Sequence, residues 1–157
     1  MTKKVIINNC YGGPSISAKA IKRLAELQGK ECYFFKSIYN KENSDSIYEE
    51  IPIEECKIFW NAFIIKNPNE FLFKGNWHNL SDEEKQKENE KFKSIYLSNR
   101  IEDREDKLLI QVIEELKEEA NGYCAKLKIV EIPDDVQYEI EDYDGLEHIS
   151  EIHRTWR

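Results

Sequence analysis

Val5-Ile6-Ile7-Asn8-Asn9-Cys10-Tyr11-Gly12-Gly13-Pro14-Ser15-Ile16-Ser17 is the stretch whose reading decides the fold. The β-branched run suits a short buried strand, Lys4 to Asn8. Ser17 is a good N-cap for the helix that follows, and Ile16 with Ile21 forms a hydrophobic staple. Ala20, Ile21, Leu24 and Leu27 share one face of that helix, and Gly29 is a natural stop. Strand, glycine turn and helix start thus come in immediate succession. Backbone N–H groups and the helix dipole at such a place can hold a phosphate or carboxylate. The turn lacks the Lys-Ser/Thr of a P-loop and the third glycine of a dinucleotide fingerprint. A tight turn that needs positive φ at a glycine accounts for the same residues.

Working outward, Cys32 to Tyr39 reads as a second strand with an aromatic centre. Asn40 to Ser46 reads as a polar loop. Cys56 to Lys66 is apolar enough for a strand or a helix, and Asn67-Pro68-Asn69 ends it. Ser81-Asp82-Glu83-Glu84 is a capping box opening a polar helix with a packing face only at Phe92, Ile95 and Tyr96. A second helix, capped by Asp103, carries Leu109, Val112, Ile113, Leu116 and Ala120, and Asn121-Gly122 closes it. Ala125 to Ile132 and Val136 to Glu141 read as a hairpin turning at Pro133-Asp134-Asp135. Asp144 reads as the cap of a last short helix with Leu146, Ile149 and Ile152.

The 157 residues suit a single domain, 1–157, with a core of its own. The expected fold class is α+β: one compact domain, a mixed β-sheet with packed helices, a C-terminal β-hairpin, and a projecting polar helix pair around 81–120. The formal net charge of −8 argues against non-specific nucleic-acid binding, which needs surplus Lys and Arg. The same charge suits an acidic face offered to a basic partner. The four cysteines, Cys10, Cys32, Cys56 and Cys124, form no Cys-x-x-Cys pair and read as reduced thiols of a cytoplasmic protein. No apolar run approaches the roughly 20 residues that span a bilayer, and the apolar start is too short for a secretion signal.

Several residue types carry chemistry. Arg100 and Arg104 flank the start of the second helix. Each could fork onto phosphate or carboxylate, or pair at the surface with Glu102, Asp103, Glu105 and Asp106. The chain end, His153-Arg154-Thr155-Trp156-Arg157, is unusual in carrying an indole. Trp156 or Tyr11 could stack on a base or ring with Arg154 on a phosphate, or the tail could simply dock. Cys10 at a strand end beside a helix start is a candidate thiolate, yet no local base supports it, so a structural cysteine fits better. His148 and His153 are poorly spaced as metal ligands, and no metal or cofactor is expected. The acids between Glu139 and Glu147 read as a solvated edge. A Gly-x-Ser-x-Gly elbow and a His-x-Thr/Ser pair are both missing.

The two ends together resemble a family of small uncharacterised proteins encoded by tailed phages and prophages. The resemblance rests on Asn8 through Ser17, on Glu114-Glu115-Leu116, on Ala120-Asn121-Gly122, on Lys126 through Val136, and on Tyr143-Asp144-Gly145 through His153-Arg154-Thr155-Trp156. Residues 40–98 lie outside it and read as a variable insertion. The resemblance implies phage origin and expression in the host cytoplasm, with no assigned activity. Small accessory phage proteins often counter host defence by sequestering a nucleotide signal or occupying a host protein.

The expectation is therefore a non-catalytic phage accessory protein that binds and sequesters a small anionic, nucleotide-like ligand. The ligand would lie between Tyr11, Gly12, Gly13 and Ser15, Arg104, and the tail residues Arg154 and Trp156. The alternative is an acidic protein-interaction inhibitor of a host defence protein or nuclease. A third reading is a small hydrolase using Cys10 or His153, which requires the two to share one cleft.

Overall fold

The computed structural model describes residues 1–40 and 45–153. The chain divides into two compact units: Met1–Leu27 with Asn99–Arg157, and Gln28–Ser98. The second unit contains the described part of the segment expected as an insertion. The α+β class holds, with a C-terminal hairpin.

In the first unit β1 (Thr2–Asn8) is antiparallel to β6 (Leu127–Pro133), with Val5 opposite Val130 and Asn8 opposite Leu127. Val5 and Ile6 are wholly buried. Each such side chain contributes about 1.5–3 kcal/mol by leaving water. Helix α1 (Ala18–Leu27) starts at Ser17, whose Oγ accepts the Ala20 N–H at 3.2 Å. It buries Ala18, Ala20, Ile21 and Ala25. Gly29 ends it at φ +69°. Helix α3 (Lys107–Leu116) buries Leu109, Ile110, Val112 and Ile113, and a 3-10 turn over Lys117–Ala120 carries the chain to Asn121. Strands β7 (Tyr138–Tyr143) and β8 (Leu146–Glu151) close the unit as a hairpin.

In the second unit β2 (Tyr33–Asn40), β3 (Asp45–Glu50), β4 (Asn61–Phe63) and β5 (Tyr96–Leu97) form an antiparallel sheet in the order β3-β2-β4-β5. Phe63 is its centre. Rings of Tyr48, Phe35, Tyr96 and Phe92 stand 4.9, 5.5, 5.5 and 5.6 Å from it, each near edge-to-face. That geometry is the one the ring quadrupoles favour. Helix α2 (Asp82–Lys93) opens with the expected capping box, Ser81 with Glu84, and buries no residue.

Several expectations need correction. Among the described residues every strand pairing is antiparallel, in three separate sheets, so there is no mixed sheet. Segment 125–132 does not pair with 136–141. Its partner is β1, and the hairpin lies one strand later. The last element is β8, not a helix. Asp144 (φ 52°) and Gly145 (φ 91°) make the two-residue turn between β7 and β8. Two positive φ values fit the type I′ turn whose twist matches a hairpin, and Asp-Gly is its usual sequence. Third, α3 is capped by Asp106, whose Oδ1 accepts the N–H groups of Leu108 and Leu109 at 2.9 and 3.1 Å. Asp103 instead holds the Glu105 N–H at 2.9 Å. Fourth, α3 is not polar but buries Leu109, Ile110, Val112 and Ile113, and α2 and α3 fall in different units. Fifth, Asp45 and Ser46 begin β3 where a loop was expected, and residues 41–44 lie outside the described residues. Of the apolar run 56–66, only Asn61–Phe63 is strand.

Candidate functional site

Asn8 ends β1 and is fully buried. Burying an amide requires that its hydrogen bonds be made within the protein, and here they join three loops. Its Oδ1 accepts the Lys126 N–H at 2.9 Å. Its Nδ2 donates to the carbonyls of Gly145, Cys10 and Gly12 at 2.9, 3.0 and 3.3 Å. Two amide protons serve three acceptors, so the longest contact is shared. The Asn8 backbone N–H donates to Glu147 Oε1 at 2.7 Å.

Glu147 in turn holds Arg104. Arg104 Nη1 and Nη2 donate to its two oxygens at 2.6 and 2.8 Å, and Nη1 also donates to the Ile6 carbonyl at 3.1 Å. The Glu147 side chain is 4% exposed and that of Arg104 18%. The Arg104 carbonyl accepts the Ile6 N–H at 2.9 Å, which fixes segment 104 along β1. The guanidinium fork is matched to a carboxylate in the bidentate geometry it favours. The partner of Arg104 is therefore Glu147, remote in sequence, rather than the acids beside it.

The glycine turn is filled from inside. The Gly12 N–H donates to the Asp144 carbonyl at 2.9 Å. Gly12 sits at φ +125°, and a Cβ there would meet the Cys124 carbonyl at 2.5 Å. A Cβ on Gly145 would overlap the Gly12 carbonyl, and one on Gly122 would overlap the Ser15 hydroxyl. Gly12 and Gly145 are thus glycines because three stretches of backbone meet there. Gly13 touches nothing at its Cβ position.

Each segment at this junction carries an exposed tyrosine, Tyr143 at the very end of β7. Tyr11, beside Gly12, is 60% exposed; Tyr123, beside Cys124, is 64%; Tyr143, beside Asp144, is 75%. Next to them a cleft of about 470 Å³ is lined by Gly13, Pro14, Ser15, Asn99, Arg100, Ile101 and Tyr123. The backbone of Ser15 bridges to Arg100, and Ile16 to Asn121, so the cleft wall is tied to both flanking segments.

Of the residues singled out in the sequence, Tyr11, Gly12, Gly13 and Ser15 do come together. Arg104 reaches them only through Glu147 and Asn8. Arg154 and Trp156 lie outside the described residues. Cys10 and His153 are separated. The Cys10 carbonyl shares the Asn8 amide with Gly145, whereas His153 follows the far end of β8. The six residues of β8 span about 20 Å at 3.3 Å each. Cys10 and His153 thus lie toward opposite ends of β8. A third cluster, His148 and Ser150 on Glu141, lies exposed across β7 and β8. His148 Nε2 is 2.5 Å and Ser150 Oγ 2.8 Å from the same Glu141 oxygen. Both groups converge on the carboxylate, so the serine hydroxyl donates to Glu141 rather than to His148. Among the described residues no group of three or more His, Cys, Asp or Glu could hold a metal, and no helix is long and apolar enough to cross a membrane.

Sequence reasoning missed Asn8, Glu147, Tyr123, Tyr143 and Gly145. The Asp144-Gly145 dipeptide was the available signal. Read as a hairpin turn it brings Tyr143 and Glu147 to the end of β1. Comparison with protein-family models, with curated proteins and with solved structures gives no match.

Proposed function

We propose that this is a non-catalytic binding protein, and that it engages a protein partner through the loop end where Tyr11, Tyr123 and Tyr143 surround Gly12. The observation that carries the reading is the pairing of a rigid interior with an exposed aromatic rim. Asn8 and Glu147 fix the loops from beneath, and three large rings remain 60 to 75% exposed on them. Tyrosine on loops held by a stiff scaffold supplies contact area at a small entropic cost, as in antibody paratopes. The resemblance to phage-encoded proteins makes occupation of a host defence protein the natural setting. The test is affinity capture from bacterial lysate by the wild-type protein and by a Tyr11→Ala/Tyr123→Ala/Tyr143→Ala variant of unchanged circular dichroism. A partner held by the first and lost by the second is expected; identical captures would refute the reading.

A second reading keeps a small anionic ligand and moves it off Arg104. Its support is the cleft between Gly13, Ser15, Arg100 and Tyr123, whose lining includes both an arginine and a tyrosine. A phosphate on Arg100 with a base against Tyr123 would suit it. Calorimetric titration with linear and cyclic nucleotides tests it, with Arg100→Ala as the discriminating variant. Absence of heat, or heat unchanged by Arg100→Ala, refutes it.

A further inference from the structure

Resting on the loop-end reading, we infer that the partner presents a lysine- and arginine-rich segment to the three tyrosines. Between Ile129 and His153 the chain carries nine Asp and Glu and no Lys or Arg. Of these acids Glu147 is buried against Arg104. Asp142 and Asp144 flank the exposed Tyr143 and have no ion pair among the described residues. One oxygen of Asp142 accepts the Gly145 N–H at 2.7 Å. That bond fixes the carboxylate in the turn and leaves its second oxygen available. A loop end that offers exposed tyrosine rings and carboxylates without ion pairs suits a basic segment, whose guanidinium groups stack on the rings and hydrogen-bond to the acids. Among the cations at this end, Arg104 is held by Glu147, Arg100 lines the cleft, and Lys126 precedes β6 with its carbonyl on the Asn9 N–H. A net charge of −8 adds long-range attraction for a basic partner.

The probe is a fluorescently labelled octa-arginine peptide, followed by anisotropy, with an octa-glutamate peptide as control. Binding to octa-arginine alone is expected, weakening as salt rises from about 50 to about 200 mM. Asp142→Asn/Asp144→Asn and the triple tyrosine variant should each weaken it about tenfold. Glu83→Gln/Glu90→Gln on α2, equal in charge change, should leave it unaltered. Absence of binding overturns the inference. Loss in the tyrosine variant but not in the Asp142/Asp144 variant also overturns it, and leaves the loop-end reading standing with a partner of different chemistry. Equal weakening by the α2 variant with no effect of the tyrosines means general charge attraction and overturns the inference, while the loop-end reading is decided by the lysate capture.

Discussion

Arg104 grips Glu147 through both terminal guanidinium nitrogens, at 2.6 and 2.8 Å, and Glu147 hands the contact on to the backbone N–H of Asn8 at 2.7 Å. The turn after β1 and the turn between β7 and β8 are thereby parts of one hydrogen-bonded unit. The arginine that looked like a ligand-binding group instead holds the loop end together.

Removing one partner leaves a buried charge without compensation. Glu147→Ala or Arg104→Ala should therefore cost about 3–5 kcal/mol in urea unfolding. An apolar pair, Arg104→Met with Glu147→Leu, should cost clearly less, because no orphaned charge remains. A smaller loss for either single alanine variant than for the pair would contradict this account of the ion pair.

The glycines separate structural need from sequence appearance. Gly145→Ala meets the Gly12 carbonyl at φ +91°. It should destabilise by more than about 2 kcal/mol, a strain plus overpacking cost. Gly13→Ala has open space and should stay within about 0.5 kcal/mol of wild type. Thermal unfolding of the two variants side by side gives the comparison.

The pair across the hairpin gives a pH signature. Ser150 first, and His148 next, hold the Glu141 carboxyl below its ordinary range. A depressed folded pKa means stability that is fully present above the unfolded pKa and lost as pH falls through the folded one. Glu141→Gln should therefore remove part of the acid-induced loss of stability and leave the profile above about pH 6 parallel to wild type. A mutant profile parallel to wild type throughout the acid range would contradict the assignment.

Thiol chemistry should follow burial. Burial first, then the charges of Glu54 and Glu55, push the Cys56 thiol up to about 11. Cys124 is exposed. At neutral pH a maleimide should label Cys124 well before Cys56, since the thiolate is the reacting form. Peptide mapping after short labelling reads the order directly.

Local signals in the sequence were decisive where one residue type has one use. The Val5-Ile6-Ile7 run, Ser17, the Ser81–Glu84 box and the apolar face of α3 all lie where their chemistry placed them. Pairings over long separations were not legible. Pro133-Asp134-Asp135 read as the hairpin turn and Asp144 as a helix cap, although Asp144-Gly145 is also a turn dipeptide; only the partner strand tells which one closes the hairpin. Because β1 takes β6, the hairpin moves to the second turn, and with it Glu147 arrives under Asn8. Half of the candidate site follows from the first motif alone, Tyr11 to Ser15. The other half, Tyr123, Tyr143 and Glu147, depends on that pairing.

The most direct measurement is backbone hydrogen exchange of the captured partner complex against the free protein. The account predicts added protection over residues 9–13, 122–124 and 142–145, with the rest of the chain unchanged. Protection confined to residues 28–98, with those three loops exchanging as in the free protein, would contradict it.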